Sequence, residues 1–317
     1  MFRFKLFCAL NAKLFKQFCN IKCARTISLG TPNYLRFVQF SNKNKSQNLG
    51  VLLNETEIID LNNKNEIIPN NLIQFMEKQD DIYDEVFKMV QERNQIINIS
   101  NIKLLPPISK PDKVICVGLN YKGHCDEQNK PFPEQPFFFS KFPSTIIGPT
   151  DNILHPPNSK AVELAVIVGR KARNVSIENA YDYVFGYTVA QDISARDWQT
   201  PKRNNGQWLV AKSMDQFCPL GPAVVTKDEI PDPHNLKISC FINGICKQNG
   251  NTIELIHRVD KLISYLSELF TLLPGDVILT GTPSGVGVFR IPREFLKPGD
   301  LILSEISSIG KLENKVV

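Results

Sequence analysis

Val162-Glu163-Leu164-Ala165-Val166-Ile167-Val168-Gly169 is the stretch on which the fold class turns. It is apolar, rich in β-branched residues, too short for a helix and closed by glycine, so it reads as a strand. Glu163 is planted inside it, and an acid there is costly unless it points to solvent or holds a cation. Outward from this run, residues 113–118, 136–140, 184–191, 223–225, 236–242, 276–280 and 301–305 repeat the pattern, bounded by turn residues. Asn243-Gly244 signals a type I′ hairpin, and Pro274-Gly275-Asp276 and Pro298-Gly299-Asp300 mark further turns. One long helix is expected over 252–273, where apolar residues recur at helical spacing. The expected class is therefore α+β, mainly β, and not an alternating doubly wound sheet.

Upstream, residues 35–40, 50–53 and 57–61 read as short strands and 71–95 as helical, a small α+β region over 34–105. The Pro-rich stretch 105–111 is stiff, and a domain boundary is expected there, with the main domain over 106–317. No internal repeat or low-complexity block interrupts this plan.

The 37 basic residues outnumber the 32 acidic ones, but nine of the bases lie in residues 1–54, which hold no acid. The remaining 28 bases face 32 acids, a net −4, so a basic groove for nucleic acid is not expected. Phe7, Leu10, Leu14 and Phe18 share one side of a helical wheel, with Lys5, Lys13 and Lys16 on the other. That acid-free amphipathic pattern predicts a mitochondrial presequence over 1–33 and a matrix location. No stretch approaches the ~20 apolar residues of a membrane span. Five cysteines follow the presequence without a Cys-x-x-Cys pair, which suits buried thiols better than a zinc ribbon or a disulfide framework.

Five motifs carry candidate chemistry. In Gly118-Leu-Asn-Tyr-Lys-Gly-His124-Cys-Asp-Glu127 the imidazole and the carboxylate are three apart, so on a helical turn Glu127 can orient His124 as a base. Asp192, ending the strand at 184–191, and Glu163 are hard oxygen donors that could converge on Mg²⁺ or Mn²⁺, although Asp192 could equally cap a helix. Arg196 and Asp197 read as an ordinary salt bridge. Lys212 ends an apolar run and could hold a substrate carboxylate or an enolate oxygen, or simply snorkel at the surface. The turn after 276–280, Gly281-Thr282-Pro-Ser-Gly285-Val-Gly287, lacks the Gly-Lys-Ser/Thr ending of a phosphate loop, and its N–H groups and Thr282 hydroxyl could bind a carboxylate instead.

In this order, over residues 35–317, the motifs resemble the fumarylacetoacetate hydrolase family. The resemblance implies a mixed β-sandwich roll, a homodimer, and a Mg²⁺, Mn²⁺ or Ca²⁺ ion held by carboxylates at the mouth of the roll. It implies a small 2-oxo or 1,3-dicarbonyl acid as substrate. Glu163 and Asp192 match metal ligands, His124 and Glu127 match the dyad on a mobile lid, and Lys212, Gly281 and Thr282 match substrate contacts. The family's metal strand carries Glu-x-Glu, whose i and i+2 side chains share a face. Here the earlier position is Ala161, and the chain is a few residues shorter between Pro157 and Glu163. Either metal binding is weakened, or the sequence lacks a few codons at a junction. The expected activity is oxaloacetate keto–enol tautomerisation through an enolate, with acylpyruvate-type carbon–carbon hydrolysis or decarboxylation sharing the same groups. The contrasting reading is a metal-free homologue that serves as a binding or partner subunit.

Overall fold

A computed structural model describes residues 34–42, 46–63, 65–154 and 161–317; the presequence expected over 1–33 and most of the shortened approach to Glu163 lie outside the described residues. The opening run forms β9 (Val162–Val168), buried at every position. Even-numbered Leu164, Val166 and Val168 pack into one core, while Ala165 and Ile167 pack into another. Apolar layers on both faces explain why the run does not alternate with polar residues.

β9 pairs antiparallel with β10 (Val184–Gln191) on one side and with β14 (Val277–Leu279) on the other. β14 continues in parallel to β6 (Val114–Gly118), and β7 (Phe137–Lys141) closes that edge. Beyond β10 come β11 (Cys218–Thr226) and then β1 (Arg36–Ser41), β2 (Gln47–Leu52), β3 (Glu57–Asp60) and β4 (Ile96–Asn98). Two short strands, β5 (Lys103–Leu105) on β1 and β8 (Ile146–Ile147) on β11, bring this mixed sheet to 12 strands. A second, antiparallel sheet has the order β13 (Ile245–Asn251), β12 (Lys237–Ile242), β15 (Leu301–Ile306), β16 (Gly310–Lys315). The first core lies between the sheets, joining Leu164 and Val189 to Ile238, Ile302 and Leu312. The fold is thus mixed and sheet-dominated, with few helices.

Residues 33–317 form one compact unit, in which β1 joins β11 and Phe37 packs on both Phe75 and Phe185. Two expectations need correction. The helix expected over 71–95 is two, α1 (Leu72–Glu77) and α2 (Gln79–Glu92), broken where Lys78 turns to φ −113°. The long helix expected over 252–273 is only α5 (Val259–Leu269) among those residues. Before it, Asn251 caps a separate one-turn helix in a capping box with Glu254, and Leu255 bridges to Tyr121. The turn at Asn243-Gly244 has φ of 50° and 78°, as a type I′ hairpin requires. No helix among the described residues is long and apolar enough to cross a membrane.

Candidate active site

The C-terminal end of β6, the N-terminal end of β9 and the C-terminal ends of β10 and β14 converge on a cavity of about 720 Å³. After β6 the chain turns at Leu119 (φ 54°) into Asn120, a fully buried residue. The Asn120 amide donates to the carbonyls of Thr280 (2.8 Å) and His257 (3.0 Å), and its oxygen accepts from His257 N (2.7 Å). These bonds pin the base of the single-turn helix α3 (Lys122–Asp126), which carries His124.

His124 Nδ1 lies 2.5 Å from Glu127 Oε1, and Glu127 Oε2 accepts from Gly285 N at 2.8 Å. The Gln128 amide nitrogen sits 2.9 Å from Nε2, so the network assigns the tautomer with Nδ1–H toward Glu127 and the Nε2 lone pair accepting from Gln128. Phe289 packs edge-on against the ring at 5.7 Å.

Across the cavity, Asp192 is buried and both its oxygens face ammonium groups: Oδ1 lies 2.9 Å from Lys141 Nζ, and Oδ2 pairs with Lys212 Nζ. It is not the alternative helix cap. Lys212 ends the single-turn helix α4 (Trp208–Lys212) and lies over the Phe139 ring, 4.3 Å from its centroid, so it is not a snorkelling surface lysine. Sequence reasoning passed over Lys141, which is wholly buried. Its Nζ donates to the carbonyls of Lys212 (2.8 Å), Ile193 (2.9 Å) and Phe217 (2.9 Å). Burial opposes the charge on Lys141 most strongly, but Asp192 together with Cys218 and Cys116 outweighs it and raises the pKa. Burial likewise opposes ionisation of Asp192, yet Lys141 and Lys212 hold its carboxyl below the usual value. Lys212 is lowered, by burial first and then by the cations Lys141 and Arg196 beside it, despite Asp192.

Arg196 was expected to pair with Asp197. Instead Asp197 pairs with Arg203, and the Arg196 guanidinium turns into the cavity, 5.0 Å from the Phe289 centroid, with Gln199 Oε1 as a neutral partner at 2.8 Å. Adjacent residues on a one-turn 3₁₀ helix point in different directions, which the sequence pairing ignored.

Glu163 lines the same cavity, and its Oε2 accepts from Gly281 N at 2.8 Å. Burial and then the Asp192 charge push its pKa well up. The Gly-rich turn is therefore an anion cradle filled by the protein's own carboxylates, Glu163 at Gly281 and Glu127 at Gly285. The Thr282 hydroxyl donates to Val162 O (2.8 Å) and accepts from Gln248 Nε2 (2.8 Å), so its proton anchors the turn to β9, while the residue lines the cavity. Gln248 also donates to Pro283 O and accepts from Val162 N, a support with no signal in the sequence.

Ala161 lies two residues before Glu163, buried, and lines the cavity beside it. Among the described residues, no group of three or more His, Cys, Asp or Glu side chains could hold a metal ion. Glu163 and Asp192 offer hard oxygens and little else. That set fits a divalent ion bound through one or two carboxylates that keeps waters and substrate oxygens, as Mg²⁺ does.

A mixed roll with this dyad facing carboxylates and lysines across one cavity defines a class, and the chain belongs to it: the fumarylacetoacetate hydrolase family, whose profile, described as fumarylacetoacetate (FAA) hydrolase C-terminal, matches residues 113–317. Within that family the chain is similar to the mitochondrial oxaloacetate tautomerase fahd2 of Xenopus laevis, 47% identical over 92% of this chain and 93% of the relative. Among solved structures, a putative HpcE protein from Mycobacterium smegmatis superposes with a TM-score of 0.77 at 34% identity, covering 88% of this chain and 98% of that one. The maleylpyruvate hydrolase of Sphingobium sp. SYK-6, solved with manganese(II) and pyruvate, gives 0.73 at 28% identity, covering 89% and 98%.

Proposed function

We propose that this chain is a mitochondrial oxaloacetate keto–enol tautomerase. The observation that carries the reading is the His124–Glu127 pair facing Lys212 and Arg196 across one cavity. A four-carbon 2-oxo dicarboxylate brings two anions and an acidic C3–H, and the cavity brings Arg196 and Lys212 among its cationic side chains and an imidazole lone pair. Arg196, with no carboxylate partner among the described residues, takes one substrate carboxylate. His124 Nε2 takes the C3 proton, the C–H electron pair becomes the C2=C3 bond, and the 2-oxo oxygen becomes an enolate. Lys212 Nζ, its proton loosened by burial and neighbouring cations, faces that oxygen and gives up the proton to form the enol. Glu127 holds the imidazolium; once the enol leaves, His124 gives its proton to solvent and Lys212 takes one back, and ketonisation runs the same transfers in reverse. Gln128 leaves Nε2 when substrate arrives.

A divalent ion held by Glu163 and Asp192 would add Lewis-acid polarisation of the 2-oxo group. The family resemblance supports a homodimer, and the names of the relatives support a mitochondrial location. A second reading rests on Ala161: a homologue with too few metal ligands that binds a small acid without turning it over. The decay of the oxaloacetate enol absorbance separates the two. The proposal expects acceleration by the wild-type chain and its loss in His124→Gln, whereas an unaccelerated decay with saturable oxaloacetate binding would favour the second reading.

A further inference from the structure

Arg290 follows the one-turn helix Gly287–Phe289 and does not line the main cavity, yet its contacts lead into it. Its Nε donates to Gly285 O at 3.2 Å, its Nη2 donates to Lys247 O on β13, and Nε lies 3.9 Å from Glu294 Oε2, which Lys247 Nζ also engages at 2.7 Å. Gly285 sits flush on β13. At φ 99°, a Cβ added there would meet Lys247 O at 2.2 Å. One end of the turn is held by the Gln248 side chain at Thr282 and Pro283, the other by Arg290 at Gly285. The N–H of Gly285 is the group that fixes Glu127 Oε2.

We propose that Arg290 is a positioning residue for the His124–Glu127 dyad, acting through the backbone of Gly285. A carboxylate bound through one oxygen only can swing about its χ angles; with Oε2 on Gly285 N and Oε1 on His124 Nδ1, Glu127 cannot rotate without breaking one of two short bonds. The direction of the Gly285 N–H is set by where the turn lies on β13, and Arg290 clamps Gly285 O and Lys247 O together from the far side. Loss of the guanidinium frees the turn, and with it the hydrogen bond that holds the base in line. This inference rests on the dyad's role in proton transfer, but the geometry it concerns can be read without turnover.

The test uses the full chain with Arg290→Gln and Arg290→Lys. The first readout is the low-field proton resonance of the His124 Nδ1–H, assigned by its absence in His124→Gln; the sequence has four histidines, which keeps the region sparse. The second is kcat and KM for oxaloacetate enol decay. Arg290→Gln is expected to broaden or abolish the resonance and to lower kcat by about tenfold, the scale of one hydrogen bond to a charged group, with KM unchanged. Arg290→Lys, which keeps the charge but cannot span both carbonyls, is expected to fall between. An unchanged resonance and kcat in Arg290→Gln overturn the inference, as they do in Arg290→Lys should the glutamine variant not fold. An inactive wild type whose resonance is present, and lost in Arg290→Gln, would sink the tautomerase reading while supporting the positioning role.

Discussion

Replacing Lys141 with methionine tests the electrostatic frame of the site most directly. The side chain is wholly buried, and its ammonium serves three backbone carbonyls at 2.8 to 2.9 Å and one carboxylate oxygen at 2.9 Å. Methionine fills a similar volume but donates nothing, so the carbonyls lose their partner and Asp192 keeps only Lys212. Removing one member of a buried ion pair costs about 3–5 kcal/mol, and the three stranded carbonyls push the figure toward the upper end. At roughly 2 °C per kcal/mol for a unit of this size, the melting temperature should fall by about 6–10 °C. Urea unfolding followed by tryptophan fluorescence suits the measurement, since Trp208 packs 5.2 Å from Phe137 and 5.5 Å from Phe139 beside the cluster. Asp192→Asn in the Lys141→Met background separates charge from shape, and a coupling of about 1–3 kcal/mol is expected in the double-mutant cycle. The sign with pH also follows. Asp192 is depressed when folded, so its contribution is present above the unfolded value of about 3.9 and lost as pH falls through the folded one. A loss below about 1 kcal/mol, or a cycle without coupling, would refute the reasoning.

Glu163 is raised when folded, so the stability linked to it is present below the unfolded value near 4.3 and is lost as pH rises through the folded one. Glu163→Gln should therefore raise the melting temperature at neutral pH, with the gain gone below about pH 4, and thermal scans against pH would show it. Ala161→Glu adds a carboxylate on the face that Glu163 already presents, and calorimetric titration should find Mn²⁺ affinity increased by about tenfold or more. Arg196→Gln should raise KM for oxaloacetate by about tenfold with little change in the melting temperature, as loss of an anchor that binds ground state and transition state alike requires.

The strands buried on both faces were legible because nothing in them competes with the strand reading: β9 and β10 begin and end where composition changes. β11 was visible only at residues 223–225, since Pro219, Gly221 and Pro222 hide the rest; the register shift between Tyr187 and Val189 on β10 accommodates that kinked half. The helix at 252–273 was drawn too long because Leu255 keeps the apolar period while bonding sideways to Tyr121, a tertiary choice that periodicity does not encode. In the site, His124 with Glu127 and the ends of β9 and β10 could be found because local spacing brings the groups together. Lys141 could not, since its partners Ile193, Lys212 and Phe217 lie 52 to 76 residues away. A lysine closing an apolar strand is the one signal it carried. The anchoring of Thr282 was not legible for the related reason that its hydroxyl answers to Val162 and Gln248, both remote in sequence.

β9 is locked to β10 along its whole length and to β14 through Ala165, Val166 and Ile167. Changes in the length of the loop before it therefore cannot slide Glu163 along the sheet; they only decide which residue stands two places upstream, in the position Ala161 now holds. A substitution at Ala161 would therefore change the side chain that stands beside Glu163 while the pairing of β9 with β10 and β14 stayed as it is.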